Sequence, residues 1–249
     1  MSELSKRARA AMFIRSFAIQ GSWNYRTLIG NGFAFVLLPA LREVYSERPA
    51  ELRDAVARHA DVFNSHPYLA GIAAGAVARL EAEATDPHVI QRFKTAMRGS
   101  LGTLGDGLVW AGWRPVCAMV ALLLVFAGLP WWLCAIAFLG LYNAGHIALR
   151  VWGFAVGYGA GLAVGERLRR SRLLAAQNLL AGAGAFLLGV LLPVAIGTGL
   201  AIQPPPPLVT AAALAAALAG LLFDGKARVP LLVAMLATAL GGISLGWLP

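Results

Sequence analysis

Residues 173–223 carry no charged side chain, a run of 51 residues. A helix crosses the apolar core of a bilayer with about 20 residues, so this run must hold two spans and a break. The break falls at Gln203-Pro204-Pro205-Pro206-Pro207. Consecutive prolines lack backbone N–H groups and clash with the preceding helical turn. Two further uncharged runs, 115–149 and 229–249, extend the pattern. The predicted spans lie near 173–196, 208–223 and 229–248, with pieces at 115–129 and 131–149 separated by Leu129-Pro130. Only 13% of residues are charged and 59% are hydrophobic, against about 25% and 45–50% in soluble domains. A water-soluble enzyme and a disordered chain are both excluded. The expected fold class is an all-α integral membrane protein, with amphipathic N-terminal helices followed by broken or re-entrant and transmembrane helices.

Charge divides the chain. Of its charged residues, 24 precede position 115 and 9 follow it, which predicts an amphipathic region, 1–114, and a transmembrane region, 115–249. The basic cluster Arg167, Arg169, Arg170 and Arg172 marks a cytoplasmic loop. That places the proline loop and Pro249 outside and the N-terminus inside, in a multi-pass membrane protein. Met1–Ala10 has no apolar stretch behind it to serve as a signal peptide. Net charge is +9, but the basic residues are scattered without an aromatic–basic motif, which argues against nucleic acid. Residues 151–165, between Arg150 and Arg167, predict a re-entrant piece. Pro67–Ala78 is too short to span and carries Gly71 and Gly75 at the spacing that lets helices approach closely. An obligate membrane partner is therefore expected to cover it.

Several motifs invite a chemical reading, each beside a plainer one. Gln20, Ser22, Trp23, Asn24 and Tyr25 mix amides with aromatic plates, which suits sugar hydroxyls and the C–H face of a sugar ring. The same residues suit an interfacial helix anchored by Trp and Tyr. Asn64-Ser65-His66-Pro67 would hold a sugar or an ion, or simply turn the chain between helices. Gly99–Gly107 reads as a glycine-rich loop around Asp106. That carboxylate is either functional at the membrane boundary or a cap for the next helix. Asn143 and His146 would line a pathway or bond to a neighbouring helix. Trp131, Trp132 and Trp247 read as interfacial residues, and Cys117 and Cys134 as small packing residues. No catalytic constellation, metal-ligand spacing or cofactor motif is visible in the sequence.

RSFAIQGSWNY (15–25), GFAFVLLPALREVY (32–45), VFNSHPYLAG (62–71) and FKTAMRGSLGTLGDGLVWAGWRPV (93–116) together resemble the IID subunits of the mannose/fructose/sorbose class of the bacterial sugar phosphotransferase system (PTS). The resemblance is strong over 15–116 and looser beyond. It departs from the family pattern at Arg26-Thr27, at Glu81 and Glu83, and at Ser100. It implies a non-catalytic permease subunit that forms a hexose path with a IIC subunit, as an oligomer of IIC–IID pairs. Cytoplasmic IIA and IIB subunits would carry the phosphoryl group. A second reading is a regulatory or scaffold protein derived from such a subunit. Under the first reading Gln20, Trp23 and Asn24, on one face of a helix, form the hexose site with Asp106, Asn64 and His66.

Overall fold

The computed structural model describes residues 3–199, and all regular structure among them is helical. The expected proline loop, the spans 208–223 and 229–248, Trp247 and the C-terminus lie outside the described residues. The chain divides into two units, each discontinuous in sequence: 1–107 with 144–173, and 108–143 with 174–249.

The first unit opens with α1 (Lys6–Ser16), α2 (Gly30–Val44), α3 (Pro49–Ala60) and α4 (Ala70–Ala82). Ser5 caps α1, its Oγ accepting from the Ala8 N–H at 3.1 Å. The same residue donates its N–H and hydroxyl to Glu43 of α2 at 2.7 and 2.6 Å. Pro39 sits inside α2 and cannot donate to the carbonyl of Phe35, one turn back. The structure supplies a replacement donor: Arg15 Nη1 bonds that carbonyl at 3.1 Å, and its guanidinium lies 4.6 Å from the Phe35 ring. Gly32 takes the backbone of Ile19 so closely that a Cβ would strike it. Phe33, Leu37, Leu41 and Phe63 fill the core with Met12 and Ile19.

Every residue of α4 from Ala70 to Ala78 is buried. Its GxxxG face is satisfied inside this chain rather than by a partner. The partner element is α7 (Trp131–Ala160), which carries its own small pair, Gly153 and Gly157. A Cβ on Gly75 would meet Phe154 O at 2.6 Å and Tyr158 N at 2.7 Å; one on Gly157 would meet Ile72 backbone carbons at 2.8 and 2.9 Å. Two backbones therefore touch across two glycine faces.

Two expectations about breaks are corrected. The stretch 99–107 is not a loop. α5 (Pro87–Gly105) runs through it into a π-helical segment (Asp106–Trp113) and α6 (Arg114–Phe126). Gly99 and Gly102 meet nothing within 4 Å, so they permit the helix without needing a turn. The widened π register immediately precedes Pro115, which cannot bond to Ala111. Likewise α7 does not end at Arg150 but continues to Ala160. A 3₁₀ turn (Gly161–Ala163), with Gly161 at φ +53°, leads into α8 (Val164–Arg169), and α9 covers Leu173–Gly199.

Pro87–Phe126, Trp131–Arg169 and Leu173–Leu192 are each long and apolar enough to cross a membrane. In the second unit Gly184 of α9 admits Met119 and Val116 of α6 at 3.6 and 3.9 Å from its Cβ position. There Trp113 Nε1 donates to Tyr142 O at 3.3 Å. Cys117 and Cys134 are buried free thiols.

Candidate functional site

The motif after α1 does not continue the helix, so Gln20, Trp23 and Asn24 do not share a helical face. Residues 17–29 form successive turns, and the physical reason lies in Asn24. Its Oδ1 accepts from the N–H groups of Arg26 and Thr27 at 3.0 and 2.9 Å. Its Nδ2 donates to Ser22 O at 3.1 Å and Thr27 Oγ1 at 2.8 Å. An Asn that bonds its own downstream backbone competes with a helix and makes a turn. Leu28, at φ +56°, completes the reversal. Gln20 and Trp23 are exposed on this loop, and Trp23 packs edge-on against Tyr25 at 4.8 Å.

The loop is tied to the second motif. Phe63 N donates to Thr27 O at 3.2 Å and Ile29 N to Phe63 O at 3.1 Å, a short parallel bridge that brings residues 24–28 beside 63–66. Asn64 is exposed there and His66 is buried. His66 Nδ1 accepts from the Tyr68 N–H at 3.2 Å. Gly105 makes room for His66, since a Cβ at 105 would collide with that side chain. Asp106, the next residue, is exposed at the start of the π segment. The structure thus brings three separated motifs to neighbouring positions, though not as one row of side chains on a helix.

Beside the ends of two of these motifs, at Phe17 and Tyr68, stands a residue the sequence presented only as a flank. Arg150 is 4% exposed, in the interior of α7. Its Nη1 donates to Ser16 O at 2.6 Å and Ser16 Oγ at 3.1 Å, capping the negative end of α1. Its Nε donates to His146 Nε2 at 2.6 Å. A guanidinium can only donate, so this His146 is the neutral tautomer with its proton on Nδ1. The guanidinium lies 4.9 Å from the Phe17 ring and 5.1 Å from Tyr68, and Tyr68 stacks on His146 at 3.9 Å. Burial, then the positive charge of Arg150, push His66 down to about 4.

A second polar cluster holds α2, α3 and α4 together. Glu81 accepts from Arg58 Nη2 and His59 Nε2 at 2.7 Å each, and from the Tyr45 hydroxyl at 2.5 Å. Burial works to raise the Glu81 carboxyl, but the bonds from His59, Tyr45 and Arg58 outweigh it and hold it at about 2. Burial and the Glu81 carboxylate push Tyr45 up to about 12. Burial pushes His59 down, so it is neutral and donates from Nε2, leaving Nδ1 unbonded. Among the described residues no group of His, Cys, Asp and Glu is arranged to hold a metal ion.

Residues 3–241 match the family described as the PTS system mannose/fructose/sorbose family IID component. The chain belongs to this family. It is 31% identical over 188 residues to the PTS system mannose-specific EIID component of Escherichia coli K12, covering 72% of this chain and 65% of that one. The match thus spans just under two thirds of that relative's length. It is 30% identical to the fructose permease IID component of Bacillus subtilis, covering 76% and 69%. It is 31% identical to the sorbose-specific EIID component of Klebsiella pneumoniae, covering 73% and 67%. A cryo-EM structure of the mannose transporter ManYZ with microcin E492 superposes with a TM-score of 0.61 at 28% identity, covering 78% of this chain and 72% of that one. In this IID chain the sequence reading overlooked Arg150 and Tyr68.

Proposed function

We propose that this chain is the IID subunit of a sugar phosphotransferase permease, forming a hexose path with a IIC subunit. In this reading the subunit is non-catalytic. A cytoplasmic IIB subunit, recharged by IIA, phosphorylates the sugar, and IIC–IID pairs assemble into a higher oligomer. The observation that carries the reading is the family match across nearly the whole chain. It is supported by the meeting of three polar motifs at one place in a helical chain with membrane-length helices.

Gln20, Trp23, Asn24, Asn64, His66 and Asp106 are the proposed hexose-facing residues. The loop and turn that carry the first five are bridged together, and the sixth follows Gly105, whose position packs against His66. The uncharged connection 127–130 and the basic one ending at Arg172 fit opposite sides of the membrane. This supports an internal N-terminus and, with the two distal spans, an external C-terminus.

Hexose uptake tests the function in bacteria lacking every other mannose-class permease and supplied with this chain, its IIC partner and the soluble subunits. Uptake that requires this chain is expected. Uptake that persists unchanged when the chain is deleted overturns the reading.

A further inference from the structure

We propose that Arg150 is a hexose-binding residue whose free guanidinium edge, Nη2, donates to a hydroxyl of the transported sugar. The proposal rests on the permease reading above and adds a residue to its site. Arg150 makes hydrogen bonds through Nε and Nη1, and among the described residues Nη2 makes none. Nη2 is not among the buried side-chain atoms left without a partner, so this one edge keeps accessible surface in an otherwise buried arginine and is open to a ligand. Among the described residues no carboxylate offsets its charge. The ion pairs among the described residues are made by Arg48, Arg58, Arg79, Arg169 and Arg170, together with His59. The α1 C-terminus supplies only about half a compensating charge.

The surroundings fix where the open edge points. Ser16 holds one amino group and His146 holds the Nε side. Phe17 and Tyr68 lie against the guanidinium. The group is therefore oriented before any ligand arrives, which lowers the entropic cost of binding. It is also placed among the candidate motifs. Ser16 and Phe17 lead directly into the Gln20–Asn24 loop, and the charge of Arg150 acts on His66 in the second motif. A hexose offers hydroxyl oxygens as acceptors, and a charged donor bonds them more strongly than a neutral one. A merely structural staple between α1 and α7 would need Nη1 alone.

The test is equilibrium binding of a labelled hexose, and of its series of single-deoxy analogues, to the purified complex of the full chain with its IIC partner. Affinities are normalised to assembled protein. The parent should discriminate about 10- to 100-fold against one deoxy analogue. Arg150→Lys should bind the intact sugar weaker by a similar factor and lose that discrimination, while its preferences at the other hydroxyls stay as in the parent. A staple would lower the amount of complex and leave the discrimination pattern intact, and that result overturns the assignment. If Arg150→Lys fails to assemble, Ser16→Ala removes one of the two acceptors on Nη1 and keeps the charge. It should weaken discrimination at the same hydroxyl by a few-fold, and unchanged discrimination again overturns the assignment. A parent complex that binds no hexose overturns the permease reading itself, and the assignment falls with it.

Discussion

The crossing of α4 and α7 makes a graded prediction from three glycines on one helix. A Cβ at Gly157 would meet backbone of Ile72 at 2.8 and 2.9 Å, with the carbonyl oxygen closer still. A Cβ at Gly153 would meet the movable Ile72 side chain at 2.9 Å, and one at Gly159 would meet nothing within 4 Å. Backbone cannot step aside, so Gly157→Ala must push the helices apart by roughly half an ångström or more. Overpacking of this kind costs about 1–3 kcal/mol. Contact with backbone puts Gly157→Ala in the upper part of that range, about 2–3 kcal/mol, and alanine returns about 1 kcal/mol of helix propensity, for a net loss of about 1–2 kcal/mol. Gly153→Ala should cost less, because Ile72 can change rotamer, and Gly159→Ala should be neutral or stabilising. At about 2–4 °C per kcal/mol for a chain of this size, Gly157→Ala lowers the melting temperature of the detergent-solubilised complex by about 2–8 °C. Gly75→Ala occupies the same crossing from α4, so the double substitution should cost less than the two singles added. Thermal unfolding followed by size exclusion measures the order. Equal effects at 157 and 159, or none at 157, would refute the close backbone contact.

Three further outcomes follow from the polar clusters. Glu81→Gln strands Arg58 beside a neutral amide and should destabilise by about 3–5 kcal/mol, whereas Tyr45→Phe removes one bond and should cost about 1–2 kcal/mol; melting curves that rank them the other way contradict the network. His66 is held near 4 and His59 also below its ordinary value, so below pH 6.5 the unfolded chain takes up protons that the folded one refuses. Stability should then be flat above pH 6.5 and fall by up to about 1.4 kcal/mol per pH unit for each histidine on acidification; Glu81 adds its own loss only below about pH 4.5, as the medium approaches its value of about 2. Melting temperatures between pH 8 and 4.5 check the sign, and His66→Gln should flatten part of the slope. Asn24→Ala removes four local hydrogen bonds and should speed tryptic cleavage at Arg26, while Gln20→Ala leaves it unchanged; equal cleavage rates would show that Asn24 does not order the loop.

Helix content and, among the described residues, the apolar spans could be read from the sequence, because each depends on neighbours in the chain. Pro49 opens α3 as its position suggests, and Leu52, Val56 and His59 face the core together. The path of residues 17–29 could not be read this way. Composition there suits an amphipathic helix, and only the side-chain bonds of Asn24 decide for turns. The Gly99–Gly107 stretch misled for the opposite reason. Glycine is tolerated in membrane helices, so its density marks neither a loop nor a ligand cradle. The pairing of the Gly71/Gly75 face was hidden because its counterpart lies some eighty residues later.

Arg150 shows how a topology rule can hide a buried cation. A basic residue between two apolar stretches marks either a loop at the membrane surface or a buried cation within one helix, and hydropathy is the same for both. Spacing separates them. His146, Arg150, Gly153 and Gly157 recur at intervals of four, three and four, which keeps them on one face of a continuous helix. A loop at Arg150 would leave Gly153 and Gly157 without that register. In the folded chain this face meets α1 through Arg150 and α4 through the two glycines. The small residues let α4 approach closely, and the arginine fixes where α1 ends and where the Gln20–Asn24 loop begins. One face of α7 therefore sets the positions of both N-terminal motifs, so a substitution there should alter the loop even though the two are far apart in sequence.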